Sequence, residues 1–549
     1  MDKFFKKVDK VIFFSSLLVT ILFIVWYWTM PETFTTVTGA LFTAMNGAFG
    51  WSYMLGYLFF IVAMCYLAFS KYGRIRLCAN QSDEPEYSMF TWVAMMFAAG
   101  LGVGITYYGI YVTLDHYYRP PFGLEPQSAE AWSIGINYAT WYHALHPWSG
   151  YLIVGLIIAY FSYNRNAGGL FSTPLIQAFA KPGADGMPRR ETAWGKVIDA
   201  YIIFLTLGGV CASYSLACNM IGSGIEYIFG VPSTFLLRLI ILIILTAILI
   251  LSTNSGLSKG MALMSDWNLR LCIIILAMFL IFGNTINLIE SWIQCLGDLI
   301  INWLPMTFFM DATGSTQEAL NGFDFVRDWP VMILAFFMAW TPFVGIFIAK
   351  ISRGRSIREL VVGGMLLPTL FAHTWNAIVG TQAVLVDRAL DGGLMKQIGG
   401  VWGSCTFALY QHMPLTVVFG VLTLILIITF ILTSCDSADF TISVLSCRGD
   451  MNPPTWLRVT WAVIMSGMAS IFLAGGAGAI QNIQGICTLP MFVLIPLMFV
   501  AFVKILKTDF EDKHSKQLHL ERIKELRALR SRITAEDEAA MGVKLHQDS

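Results

Sequence analysis

Trp329-Pro-Val-Met-Ile-Leu-Ala-Phe-Phe-Met-Ala-Trp340-Thr-Pro-Phe-Val-Gly345-Ile-Phe-Ile-Ala-Lys350-Ile-Ser-Arg-Gly-Arg-Ser-Ile-Arg-Glu359 is the stretch on which the reading of this chain turns. Its apolar part is long enough to cross a bilayer, for which ~20 residues suffice. The aromatic residues Phe336, Phe337, Trp340, Phe343 and Phe347 fall mostly three or four apart, so they share one helical face. Pro342 and Gly345 loosen the backbone in mid-span. A loosened helix needs protein or a cavity around it, because free carbonyls cannot face lipid. The basic cluster Lys350–Arg358 then stops the helix at the cytoplasmic surface.

The rest of the chain agrees with a membrane setting. It has 549 residues, of which 56% are hydrophobic and 13% charged, and a mean hydropathy of +0.65. These values identify an integral membrane protein, and the helical spans set out below make its expected class all-α polytopic. Thirty-five basic and thirty-five acidic residues cancel, so charge argues for neither nucleic acid nor a polyanionic partner. Ten cysteines without a C-x-x-C pair read as reduced packing residues, not as a zinc or redox site. The first apolar segment, 11–29, follows Lys3, Lys6, Lys7 and Lys10, and it is too long for a signal-peptide core. It is expected to stay as an anchor.

At ~20 apolar residues per crossing, about twelve spans emerge, near 11–29, 52–70, 89–114, 133–162, 197–222, 234–252, 269–287, 330–350, 360–386, 414–440, 456–475 and 486–506. Basic residues gather after the even spans: Lys71, Arg74 and Arg76, then Arg165, Lys181, Arg189, Arg190 and Lys196, then Lys259, Lys350–Arg358 and Arg448. Loops after the odd spans, such as Met30-Pro-Glu32 and Ala474-Gly-Gly-Ala477, are poor in them, with Arg119, Arg388 and Lys396 as the minority. Both termini are therefore expected in the cytoplasm, with the protein in the cell membrane. Residues 1–88 carry the first two spans, 89–506 the remaining ten, and 507–549 a charged cytoplasmic tail with Leu520, Ile523, Leu526, Leu529 and Ile533 along one side of a helix. Near 287–304 an amphipathic helix is expected at the interface, followed by a polar surface loop around Asp311–Asp328.

Within the third span, Ala98-Ala-Gly-Leu-Gly-Val-Gly104 sets three glycines at alternate positions. They either unwind the helix and free carbonyls or amides for an ion or solute, or let neighbouring helices approach closely. Trp340-Thr-Pro-Phe-Val-Gly345 repeats the interruption five spans later. Interrupted segments at corresponding places in two halves point to a transporter with inverted repeats, here spans 3–7 and 8–12, whose breaks meet near mid-depth. In the tenth span, Thr429-Phe-Ile-Leu-Thr-Ser-Cys-Asp-Ser-Ala-Asp-Phe440 holds hydroxyls and carboxylates that are costly in lipid and should face inward. Thr433 and Ser434 offer hard oxygen ligands of the kind sodium accepts, or bond back to the preceding turn. Asp436 and Asp439 are placed nearer the cytoplasmic end, capping neighbouring groups. The fourth span adds Trp148, Tyr151 and two imidazoles, His143 and His146, each either a structural donor or a solute contact.

Taken together, Met96-Phe-Ala-Ala-Gly-Leu-Gly-Val-Gly104, His146-Pro-Trp148, the string from Pro342 to Glu359 and Thr433-Ser-Cys-Asp-Ser437 resemble the betaine/choline/carnitine transporter family, from the second span to the twelfth. The resemblance implies a LeuT-like fold with a five-plus-five inverted repeat in helices 3–12, alternating access and a homotrimer. It also implies secondary active transport of a quaternary-ammonium or related zwitterionic solute such as betaine, carnitine or choline. A methylated ammonium is held in a box of aromatic rings because it is attracted to ring faces and has no hydrogen to donate. The substrate-binding residues so implied are Trp340, Phe336, Phe337, Phe343, Trp148, Tyr151, His143, Tyr107 and Tyr108.

The sequence departs from the family where substrate is concerned. Leu334, Phe336 and Phe337 stand where tryptophans are usual, His143 replaces another, and Val112-Thr113 replaces a Glu-Pro pair. A phenyl face attracts a cation less than an indole does, and a histidine adds hydrogen bonding toward an acidic or hydroxylated group. A sodium position is implied by the carbonyls of Ala98, Leu101 and Phe430 with the hydroxyls of Thr433 and Ser434. A second, on the fifth span, keeps Thr206 but has Val210 in place of its other threonine. One sodium or none is expected; in the latter case one solute exchanges for another, with a basic side chain such as Arg270 in the ion's place.

Other classes are separable. No phosphate loop, H-E-x-x-H or nucleophile elbow is present, which argues against an enzyme or an ATP-driven pump. A receptor that kept the binding site and lost transport is distinguished by counterflow of labelled solute.

Overall fold

The computed structural model describes residues 7–80, 83–181, 191–254 and 257–511. Among them there is no strand, only an isolated antiparallel bridge between Arg76 and Ser356. Among the described residues ten helices are long and apolar enough to cross a membrane, and a bent pair, Met89–Gly100 with Gly104–Tyr118, passes the same test when the two are taken together. The chain is an all-α multi-pass membrane protein. The expected ninth span lies in helix Ile357–Ala389, which is long but diluted by Thr369, His373, Thr374, Asn376, Thr381 and Gln382. A capping box between Ser356 and Glu359 starts that helix.

Several boundaries differ from expectation. Pro31–Phe49, anticipated as a loop, is a helix that begins on proline, where the missing N–H costs nothing. Its threonines, glycines and asparagine hide it from a search for apolar runs. The seventh span ends at Phe282, short of 287, because Gly283 and Asn284 interrupt it and the Asn284 amide donates to Gln382 Oε1 at 3.0 Å. It starts at Leu257, so Lys259 belongs to a helix. The backbone also stays helical through Ala474–Ala477, inside Thr455–Thr488. A short helix, Ser315–Ala319, interrupts the polar loop. The amphipathic helix is present as Thr285–Phe308, with Leu288, Ser291, Cys295 and Leu299 buried and Ile289, Ile293 and Ile300 exposed. The tail helix predicted over Leu520–Ile533 lies outside the described residues. No disulfide joins the ten cysteines; eight are buried, but Cys65 is exposed and Cys487 half-buried.

The eighth span is the buried axis of the molecule. Its apolar window is wholly enclosed, whereas those of the first and sixth spans are only 28% buried. Contrary to the expected loosening, helix Met332–Ile351 runs through Pro342 and Gly345 unbroken. Thr341 Oγ1 donates to the Phe337 carbonyl at 3.0 Å and steadies the turn in which Pro342 has no N–H. Gly345 serves close packing: a Cβ there would lie 2.6 Å from the Val154 side chain, and one on Gly155 would lie 3.0 Å from the Gly345 carbonyl.

The basic cluster after this helix does more than stop it. Leu77 donates to the Arg355 carbonyl at 2.9 Å, Gly354 to the Leu77 carbonyl at 3.0 Å and Ile357 to the Ile75 carbonyl at 2.9 Å, so the loop is stitched to the end of the second span. The Arg355 guanidinium lies 4.3 Å over the Trp92 ring, and the Trp92 indole donates to Ser352 Oγ at 2.9 Å. This stitching ties the second, third and eighth spans at one end.

Candidate functional site

The third span bends by 61° between Gly100 and Gly104. Gly102 has φ +53°, a left-handed conformation that glycine adopts without steric cost. The alternating glycines also seat rings. A Cβ on Gly100 would lie 2.7 Å from the Trp148 indole, one on Gly102 2.5 Å from Trp340, and one on Gly104 3.1 Å from the Tyr108 ring. Unwinding and close approach, alternatives in the sequence, therefore operate together. Two carbonyls of the loosened segment find hydroxyl donors: Gly100 accepts from Tyr151 at 3.4 Å and Ala98 from Ser434 Oγ at 3.2 Å.

Around this bend the structure gathers the residues singled out from sequence. Tyr108 and His143 approach at 4.7 Å between ring centroids, His143 and Phe337 at 5.5 Å, Phe337 and Tyr151 at 6.4 Å, and Tyr151 and Trp148 at 5.6 Å. Trp340 lies between Phe336 and Phe343, 5.3 Å from each. Tyr107 stands further out, stacked on Tyr108 at 4.4 Å. Hydrogen bonds fix both indole planes: Trp340 Nε1 donates to the Gly209 carbonyl at 3.2 Å and Trp148 Nε1 to the His143 carbonyl at 3.1 Å. Every one of these residues except half-buried Phe336 is closed off from solvent. His146 takes the structural role, its ring tilted against Trp141 at 4.0 Å and bonded to Thr307 at 3.3 Å.

An oxygen cluster adjoins the rings. Thr433 Oγ1 donates to the Phe430 carbonyl at 2.9 Å, Ser434 reaches Ala98, and Leu101 is the first residue past helix Met89–Gly100, at the bend itself. This set holds hard oxygens and no formal charge. On the fifth span Thr206 bonds back to Ile202 at 2.8 Å beside buried Val210. Arg270 is exposed, 5.3 Å over the Trp267 ring, and does not join the cluster. Asp436 and Asp439 do not cap backbone groups; both bind the Arg458 guanidinium, at 2.7 and 2.8 Å, in a buried triad. Arg458 escaped the sequence reading because an arginine near a helix start looks like a surface charge.

A second group, toward the Asp115 end of the third span, also went unrecognised. Trp329 and Trp402 stack at 5.6 Å, Tyr142 stacks on Trp329 at 6.1 Å, and Tyr111 lies 5.5 Å from Trp402. The Trp329 indole donates to Asp115 Oδ2 at 2.8 Å, and Asp115 also pairs with Arg119. These rings cover the inner ones from that side, with Tyr107 6.3 Å from Trp402 as the link. The signals were an Asp-His pair inside an apolar span and a tryptophan set in the glycine-rich Gly399-Gly-Val-Trp-Gly403.

Comparison with known proteins matches nearly the whole chain to one transporter family model. The model of the betaine/carnitine/choline family transporters matches residues 11–511. The glycine betaine transporter OpuD of Bacillus subtilis is 31% identical over 499 residues, covering 91% of this chain and 94% of that protein. A probable glycine betaine transporter of Desulfitobacterium hafniense is 32% identical, covering 91% and 97%. An ectoine/hydroxyectoine transporter of Virgibacillus pantothenticus is 31% identical, covering 90% and 96%. The family comprises transporters, not enzymes. The chain belongs to the betaine/carnitine/choline transporter family.

Proposed function

We propose that the protein is a secondary active carrier of a betaine-like zwitterion, bound at the bend of the third span and moved by alternating access between spans 3–7 and 8–12. The observation that carries this reading is the convergence of Trp340, Trp148 and Ser434 on Gly100–Gly102. The cationic head lies against the indole and phenyl faces, where it gains cation–π attraction in a desolvated setting. Solute reaches the site when the Trp329–Trp402 stack parts on one side, or when the end near Arg458 opens on the other. The names of the relatives, glycine betaine and ectoine transporters, favour this solute class.

One sodium ion is assigned to the oxygen set of Ala98, Leu101, Phe430, Thr433 and Ser434. Ser434 already meets the Ala98 carbonyl across the third and tenth spans, Thr433 meets the Phe430 carbonyl within the tenth, and an uncharged set of hard oxygens suits a monovalent cation. The ion would join the two halves while solute is bound. Exposed Arg270, over the Trp267 ring, does not supply a built-in cation to this set. Cytoplasmic termini and a homotrimer complete the proposal. Uptake of labelled glycine betaine into proteoliposomes, with and without a sodium gradient, tests it. Sodium-stimulated accumulation is expected, and Thr433→Ala with Ser434→Ala should remove the stimulation. Counterflow without any sodium effect would leave a carrier but withdraw the ion; absence of both would withdraw the carrier.

A further inference from the structure

His143 lies in the break of the fourth span, between helices Ala129–Trp141 and Leu145–Ala159, and it is wholly buried. Its Nδ1 sits 3.0 Å from the Ala139 carbonyl. A carbonyl only accepts, so Nδ1 carries the ring proton, and in the neutral imidazole Nε2 is then a bare acceptor. Nε2 makes no hydrogen bond to any described residue. It faces the bend: a Cβ on Gly104 would be 3.5 Å from it, with the Tyr108 ring seated in the same glycine notch. The neighbouring rings are Tyr108 and Phe337, part of the wall assigned to the cationic head.

We propose that His143 Nε2 accepts a hydrogen bond from the cationic head of the solute, so that the site prefers a zwitterion whose positive nitrogen bears N–H over a fully substituted quaternary ammonium. This deepens the carrier reading and rests on it. The tautomer also reverses the acidic half of the expectation from sequence, because a bare acceptor repels a carboxylate, though it still accepts from a hydroxyl. A quaternary ammonium presents only methyl groups, leaving the buried acceptor unmatched, whereas an amidinium or a dimethylammonium supplies the missing donor. The expected discrimination is about tenfold in affinity.

The cleanest pair of ligands differs by one methyl: N,N-dimethylglycine and glycine betaine. Binding of each to the full-length protein in nanodiscs should favour dimethylglycine by about tenfold. His143→Phe, which keeps an aromatic wall and deletes the acceptor, should abolish that ratio, and His143→Gln should keep part of it. A native ratio at or below one, or a native preference that His143→Phe leaves intact, overturns the inference. If His143→Phe does not fold, the native ratio and His143→Gln decide. Failure of the native protein to bind either ligand, or the cyclic amidine ectoine, would instead overturn the carrier reading.

Discussion

The third and eighth spans look alike in sequence and part company in structure. Both carry small or helix-breaking residues at mid-span, in Gly100-Leu-Gly-Val-Gly104 and in Pro342-Phe-Val-Gly345. One is bent by 61°, and the other is a continuous helix from Met332 to Ile351. The difference lies in spacing and surroundings. Three alternating glycines remove three side chains within five residues and permit φ +53° at Gly102. A lone proline removes one N–H, and Thr341 steadies that turn. Gly345 is then free to serve the Val154 and Gly155 contact. A broken segment thus meets an intact one, and the intact one supplies the Trp340 ring that fills the glycine notch.

Substitutions sharpen this contrast, in descending effect on transport. Gly102→Val forces a β-branched residue to positive φ, at ~1–2 kcal/mol for the backbone alone, and drives a side chain into Trp340. Uptake should fall at least about thirtyfold, and near-native uptake would show that the bend is not needed. Trp340→Leu keeps the helix and removes the indole, and solute affinity should weaken about tenfold, or ~1.4 kcal/mol. Unchanged affinity in a folded variant would take Trp340 out of the site. Gly345→Ala overpacks the contact with the fourth span by ~1–3 kcal/mol. It should therefore lower the melting temperature while affinity in the folded fraction stays within about threefold. Pro342→Ala restores an N–H to an already continuous helix and should leave uptake within about twofold; a large loss would mean that the proline acts as a hinge.

The same contrast marks what the sequence revealed. Apolar length located the spans, and alternate glycines located the bend, because both are local properties. The aromatic residues were legible for a similar reason: Trp148, Trp340, Tyr108 and His143 lie near motifs. What stayed hidden depended on partners distant in the chain. Asp439 looked like a cap until Arg458, nineteen residues on, was placed beside it. Trp402 gained meaning only when stacked on Trp329. Pro342 misled because its effect depends on Thr341 and on how tightly neighbours enclose it. Pro31–Phe49 was missed because its composition is mixed, although a helix forms there against Thr455–Thr488.

Hydrogen–deuterium exchange of the full-length protein in nanodiscs, resolved over residues 98–106 and 338–347, tests the central claim most directly. The account predicts faster exchange in 98–106 than in 338–347 without solute, and selective slowing of 98–106 when a zwitterion of this class is added. Equal protection of the two segments, or a bound solute that slows neither or only 338–347, would contradict it.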